Sequence, residues 1–395
     1  MQMVDIAVIG AGPVGLAFAR TLAGSGLSVT LIDQQSREHL ADPAFDGREI
    51  ALTYASRALL ETGALWQHLS PDAISPLRDA RVMDGHSPFA LTFASAARQA
   101  GDLGWLVPNH LIRRAAWQAV QAQPGLEIRC GHRVRALQHT PTRVWVELAD
   151  GARLSARLLV AADSRFSSTR RLLGIGAQLR DFGKTMLVCR MRHAVPHHHA
   201  AWEWFGYGKT LALLPLQGNR AGAVLTLPPR QVEALLAMDA RAFGAAVTDA
   251  FEHRLGPMQQ DGSRHAYPLI ATYAQQFSGE RAALIGDAAV GMHPVTAHGF
   301  NFGLQSQARL AERVLAAAAR GGDIGAAAVV QGYARAHRLA TRPLYEATNA
   351  LAALYTDDRA PARLLRRGAL RAANAVAPFK QAIAAHLTQR SVLRW

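Results

Sequence analysis

The chain has 395 residues, 50% hydrophobic and 18% charged, with 33 Gly and 18 Pro, a composition that can bury a core and excludes disordered and collagen-like chains. Its formal net charge of +14 asks for anionic partners: nucleic acid, an acidic lipid surface or a phosphate-bearing cofactor, unless the Arg- and Ala-rich usage is genomic bias. Zinc-finger spacings, a basic region with heptads and aromatic ribonucleoprotein signatures are all missing, which removes nucleic acid, while Cys130 and Cys189 are too few for a disulfide framework.

Residues 4–9 read as a buried strand, and Gly10-Ala11-Gly12-Pro13-Val14-Gly15 turns into an amphipathic helix reaching about residue 23. A second strand over 28–33 completes a βαβ start, with its glycines where strand passes to helix. In this Gly-x-Gly-x-x-Gly turn the first glycine permits the tight bend. The second lets backbone N–H groups approach a pyrophosphate, and the third lets helix and sheet pack closely. The helix N-terminus, carrying roughly half a positive charge, then faces the phosphates. Asp33 ends the second strand, where a carboxylate accepts from ribose hydroxyls and repels a 2′-phosphate, favouring FAD or NAD over NADP.

Strand-like segments follow at 127–129, 144–148 and 157–162, with turn signals at Pro141 and Asp150-Gly151, as in a meander returning to the sheet. The texture changes over 176–270, where Trp202, Trp204, Phe205 and the apolar run 211–216 precede a helical stretch near 232–255; this reads as an inserted domain. His197 to His199 imitate a metal cluster but read as a solvated loop. Glycine-rich chemistry returns at 282–303: a short strand ends in Gly286-Asp287, and Gly299 and Gly303 stand near a helix start. From residue 306 onward the chain is Ala, Leu and Arg at helical spacing. Near its end Arg363, Arg367 and Arg371 recur at i, i+4 and i+8 beside Arg366, a basic amphipathic face suited to anionic lipid, to a partner protein or simply to water. No apolar run reaches the roughly 18 to 20 residues that cross a bilayer, so a cytoplasmic chain is expected, peripheral on the inner face of the cytoplasmic membrane if the basic helix binds lipid.

The ordered set of motifs resembles the flavoprotein aromatic hydroxylases of ubiquinone biosynthesis, the UbiH, UbiF and UbiM type, within the p-hydroxybenzoate hydroxylase fold group. The residues that carry the resemblance are Gly10 to Gly15, Gly47 to Leu52, Leu106 to Asn109, Ala161 to Arg170, Tyr267 to Leu269 and Gly286 to Gly303. Where the family usually writes Gly-Ala-Asp-Gly this chain has Ala161-Ala162-Asp163-Ser164, and Ala297-His298-Gly299 replaces Gly-Gln-Gly, a form similar to the UbiM subgroup.

The resemblance implies an α/β fold: a Rossmann-like FAD-binding domain (1–80, 105–175 and 268–320), an inserted β-sheet substrate domain (81–104 and 176–267) and a helical C-terminal region (321–395). It implies FAD held by Gly10, Ala11, Gly12, Pro13, Val14, Gly15 and Asp33, with Arg48, Asn109 and Asp163 nearby and Asp287 on the ribityl chain. Pro294, Gly299, Phe300 and Asn301 would border the isoalloxazine. The implied reaction is hydroxylation of a polyprenylated phenol or quinol through a flavin hydroperoxide, using O2 and NAD(P)H or another donor, in a dry pocket; Trp202, Trp204, Phe205 and residues 211–216 are suitable wall material, while each aromatic taken singly reads as ordinary core packing. His298 and His293 lie in the segment that should border the flavin, where a neutral imidazole can accept a phenolic proton. Two rivals stand beside this reading. A halogenase is disfavoured because Trp202-Glu203-Trp204 lacks the following Ile-Pro; the other is a non-catalytic subunit working with other ubiquinone-biosynthesis proteins.

Overall fold

A computed structural model describes residues 2–85, 90–94, 101–206, 208–294, 298–356 and 359; the arginine stripe at 363–371 lies outside them. The strand Gln2–Ile9 pairs in parallel with Val29–Asp33 on one side and Arg153–Ala161 on the other. Leu126–Cys130 and Ala282–Leu284 extend the sheet outward, again in parallel. Parallel sheets are covered on both faces, and this first strand shows why its sequence is almost continuously apolar. Ile6 and Val8 join the large core beneath the helices, while Val4, Ala7 and Ile9 join a second cluster with Val144, Val146 and Leu148. The meander differs from the expected one in its first strand: Val134–His139, Val144–Leu148 and Arg153–Ala161 run antiparallel in sequence, while the expected segment 127–129 lies in Leu126–Cys130 and pairs in parallel with Val29–Asp33. The helix Pro13–Thr21 packs on this sheet through Leu16, Ala17 and the fully buried Phe18, whose burial alone contributes about 1.5–3 kcal/mol.

A second, nine-stranded sheet takes Asp79–Asp84 and Ala90–Ala94 from early in the chain and the rest from Ala177–His193 onward. Ala200–Phe205 pairs in parallel with Asp79–Asp84, so this sheet is closed by a distant segment. His265–Ala274 and Val290–Gly291 lead back to the glycine-rich region. One face of the sheet is covered by two helices, Pro229–Ala237 and Ala240–Ala250. The single helical stretch expected near 232–255 is thus broken: Met238 is extended, and Asp239 caps the second helix by accepting from the Ala242 N–H at 2.8 Å. A three-stranded sheet of Glu49–Leu52, Gly104–Pro108 and Ser75–Leu77 lies beside the larger two. Helices Gly299–Ala319 and Ala327–Thr356 complete the described chain.

Candidate functional site

The first glycine turn is held by three different constraints. Gly10 has φ +113°, and a Cβ there would lie 2.5 Å from the Ala162 carbonyl oxygen. At Gly15 a Cβ would lie 2.1 Å from the Gly10 carbonyl oxygen, so helix and strand could not approach as they do. Gly12 is different. Its φ of −68° and ψ of 171° suit any residue, and a Cβ would meet nothing within 4 Å. The protein itself makes no demand for glycine there; the open space does, and it lies at the start of a helix that has no side-chain cap. Asp33 Oδ2 accepts the Ala11 N–H at 2.6 Å and Oδ1 accepts the Gln35 N–H at 2.7 Å, so this carboxylate also fixes the turn.

The second glycine segment meets the first. At Gly286, with φ +60°, a Cβ would sit 3.3 Å from the Val14 side chain, and at Gly303 only 2.8 Å from it. Ser306 Oγ accepts the Gly286 N–H at 2.9 Å and donates to the Gly303 carbonyl at 2.6 Å, locking strand end to helix. Beside Gly286, half-exposed Asp287 pairs with Arg165 at 3.1 Å, and Arg165 also donates to the Ile270 carbonyl at 2.9 Å. Asp163 lies next to the Gly10 turn, with its carboxylate accepting from Ser167 Oγ and from the Thr169 N–H. Buried Asn301 clamps the helix Gly299–Ala319 to the three-stranded sheet, donating to the Ala51 carbonyl at 2.9 Å and accepting from the Thr53 N–H at 3.3 Å. Gly299 and Phe300 begin that helix, and Pro294 is exposed on its approach.

A third cluster joins the three-stranded sheet to the nine-stranded one. Arg48 pairs with Asp46 at 2.6 Å and lies over the Tyr267 ring; Asn109 donates to the same Asp46 oxygen at 2.7 Å, and Tyr267 donates to the Asp46 carbonyl at 2.8 Å. Burial pushes the Asp46 carboxyl up, but Arg48 and Asn109 outweigh it and hold the group below the usual range. Next in sequence, Glu49 is almost wholly buried against Arg190 at 2.7 Å, and desolvation, only partly offset by that arginine, pushes its carboxyl up to about 7.

Residues 3–341 match the family model described as FAD binding domain. The chain is 45% identical over 388 residues to ubiquinone hydroxylase UbiM of Neisseria meningitidis, covering 97% of this chain and 84% of that protein. It is 36% identical to ubiquinone hydroxylase UbiL of Rhodospirillum rubrum, covering 98% and 89%. This chain belongs to the FAD-dependent ubiquinone hydroxylases. A p-nitrophenol 4-monooxygenase from Pseudomonas putida, 18% identical, superposes with a TM-score of 0.79 over 99% of this chain and 100% of that one, so the fold is that of the flavin monooxygenases.

FAD fits what is present: open space at Gly12, an uncapped helix start behind it, and a second glycine segment packed against Val14. In this ubiquinone hydroxylase the two candidate histidines are both buried. His293 packs edge-on against Phe182 with ring centroids 4.7 Å apart; burial, with Arg180 nearby, lowers its pKa to about 4, so the ring is neutral at pH 7. His298 is 2% exposed and occupies the N-cap position of the helix Gly299–Ala319. His197 is not part of a solvated loop. It is buried, its Nε2 lies 2.9 Å from the Leu216 carbonyl, and no three-residue metal-binding group occurs among the described residues.

Of the two roles open to the aromatic residues of Ala200–Phe205, pocket wall and core packing, Trp202 and Trp204 take the second. Trp202, Trp204, Leu211 and Leu213 pack with Phe243 and Val247 of the covering helices, on the face turned away from the FAD-binding sheet. Strand alternation gives the opposite face to Glu203, Ala212 and Leu214. Sequence reasoning also passed over Asp46, Arg165 and the Glu49–Arg190 pair. Asp46 had a signal in its position two residues before Arg48, but the partners of Arg165 and Glu49 are more than 100 residues away.

Proposed function

We propose that this ubiquinone hydroxylase is an FAD-dependent monooxygenase that adds a hydroxyl to the aromatic ring of a polyprenylated phenol or quinol on the way to ubiquinone. The observation that carries this is the open space at Gly12 facing an uncapped helix, in a chain 45% identical to a named ubiquinone hydroxylase across nearly its whole length. The family names speak against a non-catalytic subunit. Bound FAD supplies the redox chemistry, drawing electrons from an NAD(P)H-type reductant and activating O2.

The protein's part is to hold and to exclude water. We assign the pyrophosphate to the Gly10–Gly15 turn, the ribose to Asp33, the ribityl chain to Asp287, and the ring surroundings to Pro294, Gly299, Phe300 and Asn301, with Arg48, Asn109 and Asp163 on the flanks. Two features support this assignment: the turn's geometry, and Asn301 tying the Gly299 helix to the strand that follows Arg48. His298 is assigned the proton of the substrate hydroxyl, with His293 as a neutral neighbour that orients the ring. We assign the FAD-binding and substrate parts by the partition set out above, with the strand His265–Ala274 crossing their boundary. No helix among the described residues is long and apolar enough to cross a membrane. Access to a membrane-dissolved substrate is assigned to the arginines at 363–371, which would hold the chain at an anionic surface and near other enzymes of the pathway.

Deleting the gene and profiling quinones tests the reading. A prenylated ring lacking one hydroxyl should accumulate, and its identity fixes the position attacked; an unchanged ubiquinone profile overturns the reading.

A further inference from the structure

Around Glu203 the face of the nine-stranded sheet turned toward the FAD-binding part is small and apolar. Glu203 pairs with Ala212 on one neighbouring strand and Val82 on the other. On the same face Gly222 meets Glu49, Val188 meets Gly47, and Leu91, Phe93, Val82 and Ala80 form an apolar cluster with Leu77 and Leu103. The surface that carries Glu203 therefore looks at the segment Gly47–Leu52 and the three-stranded sheet, whereas its neighbours Trp202 and Trp204 look into the helix-covered core.

Glu203 is half-buried on this face, between the shorter side chains of Val82 and Ala212. Glu203 keeps an accessible surface, yet it is desolvated strongly enough that its carboxyl is pushed up to about 8, with desolvation as the only cause. Charged groups on the same face are Asp84 on the strand Asp79–Asp84, Arg190 paired with Glu49, and Arg192 and Arg220, both paired with Asp261; none perturbs Glu203. The strand Thr210–Pro215 brings no charge at all. A neutral carboxylic acid in an apolar wall is a hydrogen-bond donor waiting for an acceptor, because leaving its O–H unpaired costs free energy.

We propose that Glu203 donates a hydrogen bond to an oxygen substituent of the aromatic substrate from the sheet side of its binding site, and so selects oxygenated rings over plain prenyl chains. This rests on the substrate class assigned above. The group is a substrate-binding residue missed by the sequence because it sits between two tryptophans that suggest a core strand.

The test uses the FAD-loaded full chain and the methyl ether of a short-chain prenylated phenol, a probe with an acceptor oxygen and no ionisable proton. Binding is read from the perturbation of flavin absorbance. Wild-type affinity should fall as pH rises through about 8, when the donor is lost. Glu203→Gln, a neutral donor of the same shape, should bind with wild-type affinity and no pH dependence over that range. Glu203→Leu should bind roughly 3- to 10-fold more weakly at pH 7. An E203Q profile that still falls at the same pH, or E203L binding as tightly as wild type, overturns the proposal. Should E203L fail to hold FAD, the E203Q profile decides alone. Infrared difference spectra of wild type against E203Q, taken without probe, must contain the stretch of a protonated carboxylic acid; its absence also overturns the proposal. If that band is present but wild type binds neither the ether nor its parent phenol, the substrate class is wrong and the donor role proposed for Glu203 falls with it.

Discussion

Glycine 12 separates the demands of the fold from those of the ligand. A Gly12→Ala substitution adds a methyl group into space that the protein leaves open, at φ −68° and ψ 171°, where alanine carries no backbone strain. Without cofactor the variant should stay within about 1 kcal/mol of wild type, because alanine restricts the unfolded chain but is a poorer N-cap than glycine. With FAD seated as proposed, the same methyl should occupy the approach of the pyrophosphate. Overpacking of this kind costs about 1–3 kcal/mol, which corresponds to a loss of FAD affinity between roughly 5- and 150-fold. Thermal melts of the apoprotein and titration of FAD by fluorescence quenching measure the two halves separately. Gly15→Ala is the contrast: its Cβ would lie 2.1 Å from the Gly10 carbonyl oxygen, so the apoprotein itself should melt earlier. A Gly12→Ala protein that binds FAD like wild type would refute the reasoning, as would an apoprotein destabilised as much as that of Gly15→Ala.

Three further outcomes follow from the same geometry. Asp33→Ala leaves the Ala11 N–H without its acceptor and should cost on the order of 1–3 kcal/mol in thermal or urea unfolding, while Asp33→Asn, which keeps an acceptor oxygen, should lose less. His293 has a folded-state pKa depressed from 6.5 to about 4, so the unfolded chain binds more protons between those values. Stability should fall as pH drops through that window by up to about 3 kcal/mol, and His293→Phe should remove that part of the acid sensitivity in melts taken from pH 7 to pH 4. Glu49 is the reverse case: its carboxyl is raised, so ionisation opposes folding as pH rises from about 4.5 to 7, and Glu49→Gln should flatten that decline; an undiminished slope would contradict the assignment.

The parts of this architecture that rest on local pattern were legible in the sequence. Gly10, Gly12 and Gly15 sit where a strand must turn into a helix, and the nearly continuous apolar run before them shows a parallel sheet buried on both faces. What stayed hidden depends on partners remote in sequence. Arg165 finds Asp287 across 122 positions, and Arg190 finds Glu49 across 141. The aromatic-rich strand Ala200–Phe205 stayed ambiguous for a related reason. Trp202 and Trp204 suit a pocket wall or a core; period-two alternation sends both to one face, and only the covering helices Pro229–Ala237 and Ala240–Ala250 decide which face is core. The break at Met238–Asp239 was readable as a capping signal, since Asp239 stands three residues before the N–H it accepts.

Incorporation of oxygen isotope tests the hydroxylase assignment most directly. The purified FAD-loaded chain, given a short-chain prenylated phenol, an NAD(P)H-type reductant and 18O2, should return a product with one added ring oxygen that carries the heavy isotope, in an amount that scales with enzyme. Reductant consumed only to peroxide, with the phenol recovered unchanged, or a new ring oxygen drawn from water, would contradict the account.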